Sequence, residues 1–97
     1  RDENYVLEVK GDSMVEDNIQ DGDFVIIRQQ DTANRGETVV ALVNNEATLK
    51  RYHPRPDHIE LRPANADYEP ILVQPEDDFR IRGVVLYVFR NFSRVVN

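Results

Sequence analysis

The 97-residue sequence has no cysteine and no tryptophan, a single methionine, and two lysines, Lys10 and Lys50. Without cysteine there are no disulfides, thiolate metal ligands or thiol nucleophile, and the chain suits a reducing compartment, so the cytoplasm is the expected location. No apolar run approaches the roughly 18 residues of a membrane span, and none follows Arg1 to form a signal peptide, so no membrane association is expected. Clustered positive charge is missing too. The net charge is −6 and the arginines alternate with acids, which argues against this segment gripping a phosphate backbone by itself. The start at Arg1, without Met, leads us to expect a fragment of a longer protein.

What is present reads as β-structure. "YVLEVK" alternates, placing Tyr5, Leu7 and Val9 on one face. "DFVIIR" follows the Asp21-Gly22 turn as a continuous apolar strand, expected to be covered on both faces. "ETVVALV" and "EATLKRY" flank Asn44-Asn45, and asparagine tolerates positive φ, which predicts a two-residue hairpin. The prolines of "HPRPD" predict a loop, "HIELR" a strand with Ile59 and Leu61 inward, and "ILV" a short strand. "FRIRGVVLYVF" predicts a long final strand with a bulge or bend at Gly83. Only "SMVEDNI" has room for a helical turn. The expected fold is mostly β: one small domain over residues 1–97, a curled antiparallel-rich sheet or partial barrel.

Several candidate sites fail on chemistry. "DNIQDGD" resembles the start of a calcium loop, but Ile19 and Arg28 fall where oxygen ligands are needed. No metal or cofactor is expected. Asn91-Phe92-Ser93 fits a glycosylation triplet, with nothing to mark the chain as secreted. His53 and His58 sit beside prolines, and no third residue stands out as an orienting acid for either; loop solvation is their better reading.

The chain has two serines, and Ser13 stands in a glycine turn just before a strand. A serine hydroxyl needs a base before it can attack, and an unprotonated lysine can serve. The lysine pKa must then fall from about 10.4 towards neutrality, which burial favours and neighbouring acids oppose. Lys10 shares a face with Glu8 and lies near Asp12. Lys50 alternates with Thr48 and Tyr52 along a β-rich run, so Lys50 is the one that a covered cleft could neutralise. On these residues alone, a solvated strand lysine competes with that reading.

"GDSM" (11–14), "DGDFVIIRQQ" (21–30), "GETVVALV" (36–43), "EATLKRY" (46–52), "LRPANADYEPI" and "IRGVVLYVFRN" together resemble the carboxy-terminal domain of the LexA-type self-cleaving repressors. UmuD-type mutagenesis proteins and phage repressors are relatives of that family. The resemblance implies a serine–lysine dyad with Ser13 as nucleophile and Lys50 as general base. Backbone amides near the serine, here those of Ser13 and Met14, would hold the oxyanion. It implies self-cleavage at an Ala-Gly or Cys-Gly bond in an upstream loop, stimulated by RecA on single-stranded DNA. Neither dipeptide occurs in this sequence, nor does the helix-turn-helix domain through which such repressors meet operator DNA. A homodimer joined through "GVVLYVFRNF" at a sheet edge is expected. The alternatives are a UmuD-type accessory protein of translesion synthesis, a phage-repressor domain, a signal peptidase lacking its anchor, or an inactive dimerisation module.

Overall fold

The computed structural model describes residues 3–90. Seven strands, β1 (Asn4–Glu8), β2 (Phe24–Gln29), β3 (Thr38–Val43), β4 (Glu46–Pro54), β5 (Ile59–Arg62), β6 (Ile71–Val73) and β7 (Phe79–Phe89), form one sheet in the order β1-β2-β7-β3-β4-β5-β6. Every neighbouring pair is antiparallel, and the only helical piece among the described residues is a 3₁₀ turn at Val15–Asp17. The mostly β expectation is borne out.

Local chemistry explains the tightest connection. Asn44 and Asn45 take φ of 49° and 72°, the left-handed pair that lets a two-residue loop follow the twist of β3 and β4. The side chains then sort into two cores. Met14, Ile19, Val25, Ile27, Val40 and Ala64 form one, while Val39, Ala41, Leu61, Val73, Ile81 and Val84 form the other. Consecutive residues of β3 feed both, so this strand is covered on its two faces.

β7 carries the bend. Its register slips by one residue against β3 at Arg82 and against β2 at Leu86, on either side of the short stretch beginning at Gly83. At Gly83 a Cβ would stand 2.3 Å from Ile27 Cγ2 and 2.7 Å from the Arg28 carbonyl oxygen, so no side chain fits where the backbone crosses β2.

Four sequence expectations need correction. β2 is not covered on both faces: Val25 and Ile27 are buried, but Phe24 and Ile26 are half-exposed on its outer side. Leu7 is exposed, because β1 is an outer strand and Leu7 borders a cleft. The loop at "HPRPD" is shorter than its prolines suggest. β4 runs through His53 and Pro54, opposite Glu60 and Ile59, and the Arg55 amide then bonds the His58 carbonyl at 2.8 Å to close the turn. A proline is tolerated there because it ends the strand, where no ladder donor is needed.

The fourth concerns the final strand, which is third in the sheet rather than outermost. Its first half bonds β3 through Val84, and its second half bonds β2. From Val85 to Phe89 it therefore has a ladder partner on one side only among the described residues. Tyr87, Val88 and Phe89 are exposed, and Asn91 and Phe92 lie outside the described residues, as does the Asn91-Phe92-Ser93 triplet.

Candidate active site

The chain leaves β1 and turns at Gly11, whose φ of +88° is one that L side chains rarely adopt. The Gly11 amide donates to Asp21 Oδ1 at 2.7 Å, and the Val9 amide and carbonyl bond the Asp23 carbonyl and the Gly22 amide at 2.7 and 2.8 Å. The loop is thus tied back to the turn before β2. Beyond it, Met14 and Ile19 enter the core as anchors, with the 3₁₀ turn between them. Asp17 in that turn takes two donors of the Arg51 guanidinium on β4.

A second tether comes from the "PANADY" segment. The Ala64 amide bonds the Ser13 carbonyl at 2.8 Å, and the Glu16 amide bonds the Ala64 carbonyl at 2.7 Å. Asn65 Nδ2 donates to the Asp12 carbonyl at 2.8 Å, and the Tyr68 hydroxyl bonds the Asp12 carboxylate. Ser13 therefore sits on a loop clamped from both sides.

Lys50 arrives from β4. Strand parity puts it on the same side as Thr48, and its Nζ lies 2.7 Å from Thr48 Oγ1 and 3.0 Å from Ser13 Oγ. The two residues singled out in the sequence are brought together across 37 positions of chain. The Lys50 side chain is buried, at 8% exposure, and its bonding partners are two neutral hydroxyls. Burial pushes its pKa below the usual lysine value, with no carboxylate in bonding contact to restore it. Both residues line a cleft of about 340 Å³, walled by Leu7, Val9, Val25, Val40 and Leu49. The amides of Ser13 and Met14 donate to no acceptor among the described residues, and both residues line the cleft.

The other candidates fall elsewhere. His53 is on β4 with its pKa lowered by burial and by Arg62 and Arg55, and His58 bonds Asp57 at 2.8 Å. Neither lines the Ser13–Lys50 cleft. The acids of "DNIQDGD" are committed internally: Asp17 to Arg51, Asp21 to Gly11, and Asp23 to Arg90. Lys10 borders the cleft, exposed.

Comparison with known proteins supplies the family. The Peptidase S24-like profile matches residues 1–86. The chain belongs to the Peptidase S24-like family. The LexA repressor of Syntrophotalea carbinolica is 57% identical over 90 residues, covering 93% of this chain and 45% of that protein. The LexA repressors of Geobacillus kaustophilus (52% over 90 residues; 92% and 42%) and Syntrophomonas wolfei (56% over 87 residues; 90% and 41%) are similar. The resemblance read from the motifs is borne out, and the chain spans less than half the length of these relatives.

Sequence reasoning missed the clamp. "PANADY" reads as a mere turn, yet its Asn65 side chain also accepts the Asp67 amide at 2.9 Å, an Asx-type turn whose Asn-x-Asp signature was available. It also gave Thr48 a place beside Lys50 but no contact.

Proposed function

We propose that this domain is the self-cleaving serine–lysine peptidase of a LexA-type transcriptional repressor. One observation carries the reading: a buried lysine amine, with no acid on it, 3.0 Å from a serine hydroxyl at the mouth of a cleft. At that distance a neutral amine accepts the hydroxyl proton as Ser13 Oγ attacks a peptide carbonyl. Thr48 Oγ1 takes one N–H of Lys50, which turns the lone pair towards Ser13. The amides of Ser13 and Met14 receive the oxyanion. Collapse of the tetrahedral intermediate returns the proton from Lys50 to the departing amine and leaves an ester on Ser13. Water, deprotonated by the same amine, then releases it.

The substrate in this reading is an Ala-Gly-type bond in the protein's own upstream loop, with a RecA–single-stranded DNA filament as stimulus. Operator DNA is met through an amino-terminal domain, and cleavage relieves repression after DNA damage. The family resemblance supports these assignments. In the full-length protein at alkaline pH, Ser13→Ala and Lys50→Ala should each abolish self-cleavage on a gel while leaving the circular dichroism unchanged. Undiminished cleavage by either variant would remove that residue from the mechanism.

The domain is also proposed to form a homodimer. The half-free segment Val85–Phe89, with Tyr87 67% exposed and Phe89 stacked on Phe24 at 5.6 Å, offers ladder groups and aromatic area to a twofold mate. Sedimentation equilibrium at micromolar concentration should give twice the 11.3 kDa chain mass, and Tyr87→Arg should halve it. A monomer throughout would refute the dimer.

A further inference from the structure

Two consecutive carbonyls of the serine loop are held from one side. Asn65 Nδ2 donates to the Asp12 oxygen and the Ala64 amide donates to the Ser13 oxygen, each at 2.8 Å. The described chain contains no cis peptide bond. In a trans peptide the carbonyl of one residue and the N–H of the next point in opposite directions. Fixing the Asp12 carbonyl therefore aims the Ser13 N–H away from residues 64 and 65, and fixing the Ser13 carbonyl does the same for the Met14 N–H. Gly11, Ser13 and Met14 line the cleft, whereas Ala64 and Asn65 do not. The two N–H groups therefore point away from the clamp, on residues that line the cleft.

We infer that Asn65 is a positioning residue for the oxyanion site, acting through the Asp12 carbonyl to aim the Ser13 amide. This rests on the serine–lysine reading above. The orientation of the Asn65 amide is itself determined, because the Asp67 N–H donates to Oδ1 at 2.9 Å and so leaves Nδ2 as the donor to Asp12. Tyr68 steadies the same residue by bonding the Asp12 carboxylate. The Ala64 contact is made by its backbone amide, so removing side-chain atoms does not remove it. The Asn65 contact is the one that mutation can remove. Preorganised donors accelerate a reaction only if they already point at the developing charge, so losing the aim weakens the transition state while the resting fold survives.

The test uses the full-length protein and three readouts: the first-order self-cleavage constant, its pH midpoint, and the affinity of a peptidyl alanine boronate that forms a tetrahedral adduct on Ser13. Asn65→Leu keeps the size and removes the donor; Asn65→Asp keeps the acceptor for the Asp67 amide and removes the donor. Each should slow cleavage about tenfold to a hundredfold, somewhat below the loss of a whole oxyanion donor. The boronate affinity should fall by a similar factor, and the pH midpoint, which belongs to Lys50, should stay put. A rate loss accompanied by a shifted midpoint, or with undiminished boronate affinity, would make Asn65 a purely structural residue and overturn the inference. Should both variants misfold, the parental protein decides: its Ser13 amide proton must move downfield in the NMR spectrum when the boronate binds, and an unmoved resonance overturns it. If Ser13→Ala or Lys50→Ala still cleaves, the dyad reading fails instead. If they are inactive and the Asn65 variants match the parent, the Asn65 inference alone falls.

Discussion

Two charged side chains are buried among the described residues, Asp23 and Lys50, and their surroundings are opposite. Asp23 is 1% exposed and fully provided for: Arg90 Nε and Nη2 reach its two oxygens at 2.6 and 2.9 Å, and the Gln20 amide adds 2.7 Å. The Arg90 hydrogen bonds, and then the Gln20 amide, pull its pKa down to about 2. Lys50 is buried too, though less completely, but receives two hydroxyls and no countercharge, and burial drives its pKa down. For an acid a lowered pKa means the charge is stabilised; for a base it means the charge is disfavoured. The first arrangement locks the end of β7 to the turn before β2, Arg90 also reaching the Asn18 carbonyl at 3.2 Å. The second leaves an amine whose charge is disfavoured, as the proposed general base requires. A buried charge thus speaks for chemistry when its partner is withheld, and for architecture when it is supplied.

The most direct way to break the comparison is to give Lys50 what Asp23 has. Thr48→Asp would set a carboxylate where a hydroxyl now stands 2.7 Å from Nζ. An opposite charge that close raises a lysine pKa by roughly 1–3 units. The pH midpoint of self-cleavage should rise by that amount, and below it the rate should fall about tenfold for each unit. Thr48→Val, which adds no charge, should leave the midpoint from rising. A profile unchanged by Thr48→Asp would show that the missing countercharge is not what tunes the amine.

The next step removes the charge from the satisfied site. Asp23 has a folded pKa of about 2 against an unfolded value near 3.8, so its contribution is fully present above about pH 4 and is lost as pH falls towards 2. Asp23→Asn should therefore be less stable than the parent at neutral pH, with Arg90 left half-satisfied. Thermal melts from pH 5 to 2 should show the gap between the two proteins narrowing with acid. A constant gap would mean that the Arg90 ion pair contributes nothing that depends on charge.

How far these features were legible depends on how locally they are encoded. The hairpin at Asn44-Asn45 and the strand parity that joins Lys50 to Thr48 arise within a few residues, and both were readable. The burial of Lys50 was only arguable, because it depends on a loop 37 residues away. The Asp23–Arg90 pair spans 67 positions and the Asn65–Asp12 contact 53, distances over which no periodicity reports. The final strand was misplaced for a related reason. Its position near the chain end suggested an edge, but two register slips let it bond different neighbours along its two halves, β3 through the first and β2 through the second. The extension of β4 through Pro54 escaped because proline signals the end of a ladder without saying at which residue the ladder ends.

The smallest expected effect is also the one that separates stability from activity. An uncompensated buried charge opposes folding, and replacing such a group by an apolar side chain of similar length is often neutral or stabilising. Lys50→Met should therefore unfold at an equal or slightly higher temperature than the parent at pH 7, while losing the proposed self-cleavage. The sign of the pH dependence follows from the lowered folded pKa. Above the unfolded value of about 10.5 the parental amine is neutral in both states and carries no penalty. As pH falls from that unfolded value towards the lowered folded pKa the unfolded chain binds the extra proton, and the parent loses stability relative to the variant until both states are protonated. The advantage of Lys50→Met should thus be visible at pH 7 and shrink as the solution approaches pH 10. Because the burial is incomplete and the hydroxyls of Ser13 and Thr48 lose their partner, the difference should amount to a few degrees at most. A variant clearly less stable than the parent at neutral pH would show that Lys50 is a well-satisfied charge like Asp23, and the contrast between the two buried groups would disappear.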